Sequence, residues 1–294
     1  MEPEFNLPPP PRTPTETRLS VALRLIFFAA AGFVGLQVIP FVLVPLFGVV
    51  VSATLGLFLI AALANIATMR IFDRRPLTDI GLGGGPGVGK NFTWGLGLGA
   101  GAAALLLLAP LTAGAAHFQS RSNGTFSLSS LVFYLVVLLF GAAGEEMLFR
   151  GYPFQLLIQK IGPWATVLPM GVLFGFAHAA NPQITALALA NTMLWGIFFG
   201  YAFLRSHDLW LPIGIHYGWN AVLPLFGVNL SGLTIEVTRY SYQWDLGPLW
   251  SGGAYGPEGG ILTTIFVIGL FFVLHRIPIV PQRAVIATIL NDEW

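Results

Sequence analysis

The sequence predicts an all-α protein: a polytopic transmembrane helical bundle of about eight spans with both termini in the cytoplasm. Three observations lead there. The chain is 55% hydrophobic and only 9% charged over 294 residues, whereas a soluble domain carries roughly 25% charged residues and needs them to stay in solution. Apolar runs of about 20 residues recur along it, each long enough to cross a ~30 Å hydrocarbon core. The basic residues also sort by loop. With the N-terminus inside, eleven of the 14 Lys and Arg fall on the cytoplasmic side. Arg121 and Arg239 fall outside and Arg150 lies near the membrane, the asymmetry expected of a correct topology.

In chain order, residues 1–20 are polar and Pro-rich and lack the apolar core of a cleavable signal peptide. They are expected to form a disordered tail. A transmembrane domain over 21–280 follows, with spans expected at 21–46, 51–72, 92–114, 127–149, 163–180, 184–204, 209–226 and 260–280. Each should be a helix, because backbone polar groups in lipid must be satisfied within their own segment. Pro40 and Pro45 make the end of the first span the least defined. Residues 281–294 are expected as a cytoplasmic C-terminal tail.

Two loops invite a functional reading. Gly84 to Lys90 fits GxxxxGK, yet Asn91 stands where a phosphate-binding loop needs Ser or Thr for magnesium, and no strand precedes it. The glycines read as a flexible connection, and no nucleotide is expected. The loop over 227–258 carries Tyr240, Tyr242, Trp244, Trp250 and Tyr255, which suit a membrane interface or a cap on the bundle. A net charge of +1 with no Lys/Arg block gives no basis for nucleic-acid binding. The absence of cysteine excludes disulfides, thiol catalysis and Cys-based zinc sites.

Ionisable residues inside a membrane cost on the order of 2.5–3.5 kcal/mol and default to a functional role. Three clusters qualify: Glu145, Glu146 and Arg150 in "EEMLFR", Phe174 and His178 in "FGFAH", and His216 and Asn220 in "HYGWN". Spacing i, i+4 puts Glu146 and Arg150 on one face, where they can pair as a structural support. The same spacing projects His216 and Asn220 together and stacks Phe174 with His178. Glu145, about 100° round its helix from Glu146, must be protonated or meet a partner from another helix. His117, His207 and His275 fall at loops or helix ends and read as surface residues.

Three such faces can meet in one cavity, and two chemistries are open. A carboxylate beside an imidazole can hold and deprotonate a water, while an imidazole and a carboxamide stabilise an oxyanion. Alternatively Glu145, His178 and His216 are candidate zinc ligands. One expectation runs against either. Counted along the spans, Glu145 and His216 lie in the cytoplasmic third and His178 in the outer third, a mismatch of roughly 10–15 Å at ~1.5 Å per residue.

The order EExxxR, FxxxH, HxxxN resembles the CAAX prenyl protease and bacteriocin-processing (CPBP, also called Abi) family of intramembrane proteases. The resemblance covers about residues 75–226 and includes "RPLTDIGL" at 75–82. HExxH, GxGD and GxSG signatures of other intramembrane proteases are missing. The resemblance implies that Glu145 activates the hydrolytic water with help from His178, that Glu146 and Arg150 complete the first motif, and that His216 and Asn220 hold the oxyanion. Zinc and a metal-free mechanism are both compatible with it. Members cleave prenylated CAAX proteins in eukaryotes and are linked to peptide processing and bacteriocin immunity in bacteria. The expected partners are therefore membrane lipid and a membrane-associated, in some cases lipidated, protein or peptide. The Gly/Ala-rich composition points to a bacterial plasma membrane. Two rival functions use the same residue types: a proton-coupled transporter, against which the lack of an internal repeat counts, and a non-catalytic membrane adaptor.

Overall fold

The computed structural model describes residues 18–121, 126–282, 284 and 286. Most of the expected N-terminal tail (1–17) and much of the C-terminal one lie outside the described residues. Each of the eight apolar runs forms helix. α1 (Arg18–Thr68) is two arms joined at Gly48, whose φ of 71° and ψ of 173° no L side chain adopts readily. Its first arm, Arg18–Gly48, is mostly exposed along its apolar surface. Then come α2 (Val88–Thr112), α3 (Leu128–Arg150), α4 (Tyr152–Ile161), α5 (Pro163–Ala177), α6 (Ala186–Ser206), α7 (Trp210–Leu225), the single turn α8 (Pro248–Ser251) and α9 (Ile261–Arg276). Side chains such as Phe41, Phe272 and Leu46 are 82%, 71% and 69% exposed. So wide a belt of bare apolar surface is stable only against lipid, and the chain is an integral membrane protein built as a helical bundle.

Among the described residues five segments are long and apolar enough to cross a bilayer: Arg18–Gly48, Val51–Asp73, Val88–Thr112, Leu128–Ile161 and Ala186–Ser206. α5, α7 and α9 have 15, 16 and 16 residues, about 22–24 Å at 1.5 Å per residue. A two-stranded antiparallel ribbon also forms, with β1 (Ala116–Ser120) on β2 (Tyr240–Trp244) and Ala116 opposite Trp244. Its aromatic residues include Phe118 and Tyr242, whose ring centroids lie 5.6 Å apart, and the Tyr242 hydroxyl donates to Leu107 O at 2.6 Å. The aromatic loop thus caps the end of α2.

Connections gather at two ends of the bundle. At one, Leu209 N donates to Gly81 O, Asn91 donates to Asp208 and to Val280 O, and Gln155 donates to Ile80 O. At the other lie the ribbon and the contact of Asn181 with Ser231 O. The loops that meet at each end are those the charge distribution assigns to one side.

Helix seams are set by glycine. α2 carries Gly95 and Gly99, and α7 carries Gly214 and Gly218. A Cβ at Gly99 would stand 2.0 Å from Ile215 O, and one at Gly218 would stand 2.5 Å from Leu96 O. α5 and α6 meet through Gly171, Gly175, Gly196 and Gly200 in the same way. These small-xxx-small pairs let backbones approach closely, which is what drives helix association where the solvent is itself apolar. His216, two residues from each α7 glycine, is turned about 200° away from the seam, toward α3, α5 and α6.

Candidate active site

The last turns of α3 carry Glu145, Glu146 and Arg150. Glu146 and Arg150 are fully buried, and their i, i+4 pairing forms, Arg150 Nη1 to Glu146 Oε1, at 3.2 Å. The guanidinium does more than neutralise. Nη2 donates to Gly196 O at 2.6 Å, tying α3 to α6, and the planar head lies 4.7 Å from the Phe174 ring centroid and 5.3 Å from that of Phe199. Planarity and weak hydration suit Arg, not Lys, to such a place. Glu146 Oε1 also takes His216 Nδ1 at 3.0 Å.

His178 follows α5 as its C-cap. Its Nδ1 lies 2.8 Å from Phe174 O; a carbonyl only accepts, so Nδ1 carries the proton and Nε2 is the free nitrogen. The bond from His216 Nδ1 to the Glu146 carboxylate fixes the second imidazole alike. Both Nε2 atoms point toward Glu145 Oε2, at 3.5 Å for His178 and 3.9 Å for His216. That oxygen is buried and has no hydrogen-bond partner among the described residues. Phe199 stacks on the His216 ring at 4.8 Å and 17°, which holds the imidazole plane.

The 10–15 Å depth mismatch is therefore absent, for a specific reason. Gly151 (φ −72°, ψ −143°) breaks the helix between α3 and α4, the apolar run nonetheless continues over Leu128–Ile161 for 34 residues, and the turn into α5 sits at Gly162 with φ of 90°. Residues equidistant from that turn lie side by side. Phe149 and Phe174 meet at 5.1 Å, and Glu145 and His178 meet one helical turn farther along. Reading 150–162 as a loop moved the turn too close to Glu145.

A cavity of about 40 Å³ is lined by Glu145, His178, His216 and Asn220 together with Phe174, Phe199, Thr192, Trp195, Trp219, Ser231 and Glu258. It has room for a few waters. Asn220 makes no side-chain hydrogen bond among the described residues, so its carboxamide is free for a ligand. Ser231 and Glu258 come from the aromatic loop, and nothing in their sequence surroundings marks them as site residues. Glu258 Oε1 accepts from Trp219 Nε1 at 3.3 Å, and Oε2 accepts from both Ser231 N and, at 2.9 Å, Ser231 Oγ. Burial pushes this carboxyl above its ordinary pKa, against the pull of those donors and of His178.

Among the described residues no group of three His, Cys, Asp or Glu side chains is arranged to hold a metal ion. The zinc reading of Glu145, His178 and His216 therefore gains no support among the described residues.

Residues 126–222 match the family model of the type II CAAX prenyl endopeptidase Rce1-like proteins. The similarity covers residues 126–222 alone, about a third of the chain. The matched stretch contains all three motifs and ends short of Ser231 and Glu258, as well as excluding "RPLTDIGL" upstream. Curated proteins and solved structures give no match to the chain.

Proposed function

We propose that this Rce1-like protein is an intramembrane endopeptidase in which Glu145 activates water for attack on a peptide carbonyl. The observation that carries the reading is Glu145 Oε2, buried and unpartnered, facing two imidazole nitrogens whose other nitrogens are occupied. A water seated there donates one proton toward Glu145 and the other toward His178 Nε2. Its oxygen attacks the scissile carbonyl as Glu145 takes the proton. The tetrahedral oxyanion is met by the Asn220 amide and by His216.

His216 can donate from Nε2 only as an imidazolium, since Nδ1–H is committed to Glu146. The buried Glu146 carboxylate stabilises that cation, which gives the second glutamate its role. Breakdown of the intermediate returns the proton to the leaving amine nitrogen, splitting the C–N bond into a carboxylic acid and an amine. Preorganised donors in a water-poor site commonly contribute 10²–10³-fold each.

Eight crossings with both termini cytoplasmic are supported by the two groups of meeting loops and by the charge sorting. A bacterial plasma membrane fits the Gly/Ala-rich composition, and a membrane-associated protein or peptide, with or without a lipid group, fits as substrate. The decisive experiment compares peptides from membranes holding the intact protein with those holding Glu145→Gln, alongside metal content of the purified protein. Fragments present only with the intact protein support hydrolysis. If a folded Glu145→Gln variant leaves the fragments unchanged, the reading is wrong, and proton-linked flux or partner binding becomes the function to measure.

A further inference from the structure

Two residues of the cavity, Ser231 and Glu258, lie beyond the Rce1-like match, and Ser231 is placed at a conformational cost. The turn over 230–233 is closed by reciprocal bonds, Leu230 N to Leu233 O at 2.9 Å and Leu233 N to Leu230 O at 2.8 Å. Ser231 adopts φ of 50° within it, a left-handed state that costs a non-glycine residue about 1 kcal/mol or more. The strain is held in place because both the amide and the hydroxyl of Ser231 bind Glu258. Gly232 follows with φ of 83°, and a Cβ there would stand 2.0 Å from Pro182 O. The turn is thereby seated against the segment that follows His178. Asn191 Nδ2 donates to Glu258 O and to Gly260 O at 2.8 and 2.9 Å, which pins the other side of the clasp to α6.

Glu258 thus presents a buried carboxylate to the same cavity as Glu145 and His178. Arg150 is committed to Glu146 and offers it no compensation. A second carboxylate brought into that cavity would meet a like charge in a region of low dielectric, where such juxtapositions are strongly disfavoured.

We infer that Glu258, positioned by Ser231 and Trp219, is a specificity-determining residue that excludes substrates with an acidic side chain or a free carboxylate beside the scissile bond. The site then takes internal peptide bonds flanked by neutral or basic residues. This rests on the protease reading, and it adds a selection rule which that reading does not contain.

The test is cleavage-site profiling over a pH series with intact protein, Glu258→Gln and Glu145→Gln in the same membranes. The glutamine removes the charge and keeps one acceptor oxygen, enough for either Trp219 Nε1 or the Ser231 donors. Expected are sites poor in flanking Asp and Glu for the intact protein, and at least about a tenfold gain in cleavage at acidic flanks, relative to neutral ones, for Glu258→Gln. Ser231→Ala, which keeps the charge and loses one hydroxyl bond, should retain the exclusion; this separates charge from a loosened fold. An unchanged ratio in a folded Glu258→Gln variant overturns this inference and leaves the protease reading intact. Fragments that persist in Glu145→Gln overturn the protease reading itself.

Discussion

Glu145 and Glu146 are neighbours in sequence and opposites in environment. Glu146 is committed through Oε1 to Arg150 and to His216, whereas Glu145 Oε2 faces a cavity and two free nitrogens. In the proposed reaction the adjacent pair therefore divides into a support and a reactive group. Replacing Glu145 with Gln should leave folding intact, because the isostere fits the same space, while lowering turnover roughly 10²–10⁴-fold, the range of a positioned acid–base group. Single-turnover cleavage beside a thermal melt of the detergent-solubilised protein separates the two effects. Arg150→Ala should act differently. Removing one member of a buried ion pair costs on the order of 3–5 kcal/mol, and here it also frees Gly196 O and two aromatic faces. The melt should fall sharply, and Arg150→Lys should rescue only part of it, since an ammonium cannot bridge Glu146 and Gly196 in one plane.

At the scale of elements, the site depends on seams whose signals were partly legible. The eight apolar runs and the motif spacings were visible because lipid imposes continuous apolar helices and because i, i+4 residues share a face. The GxxxG pairs at 95–99, 171–175, 196–200 and 214–218 also stood in the sequence and mark which helices touch. The position of the α4–α5 turn was not legible, because Gly151 and Gly162 are equally plausible breaks and only packing chooses the second. Nor could Glu258 be found, since its role comes from a loop folding back across about forty residues. A seam test follows. Gly99→Val would push a side chain into the α7 backbone near Ile215, which should cost about 1–3 kcal/mol and lower activity through His216, with Gly97→Val, in open space, as the tolerated control.

A second prediction at this scale concerns Asp208, which ties α2 to the start of α7. Its carboxylate accepts from Asn91 Nδ2 at 2.7 Å and from Leu211 N at 3.0 Å. Burial nevertheless pushes the carboxyl above its usual pKa, outweighing those bonds. A group with a raised native pKa favours the protonated fold. Its contribution is fully present below the ordinary carboxylate pKa and is lost as pH rises through the raised one. The intact protein should lose stability over that interval. Asp208→Asn should flatten the slope there, read as the difference in melting temperature between the two proteins across a pH series.

For the whole molecule the question is which end faces which compartment, since this decides where a substrate meets the site. Loops that carry Arg70, Arg74, Arg75, Lys90, Lys160 and Arg205 gather at one end, and the ribbon with Arg121 and Arg239 closes the other. Arg121 is held there by Glu236 at 3.3 Å and by its amide bond to Arg239 O. Three of the helices are only about 22–24 Å long, short of a full ~30 Å hydrocarbon core. The chain has no cysteine, so single cysteines at Gly84 and at Ser120 report orientation without background. A membrane-impermeant maleimide added to intact cells should label the Ser120 position and leave the Gly84 position unlabelled until the membrane is opened. The reverse pattern would invert the bundle. Equal labelling of both sites in intact cells would mean that the two loop groups share a side, and the eight-crossing topology would fall with it.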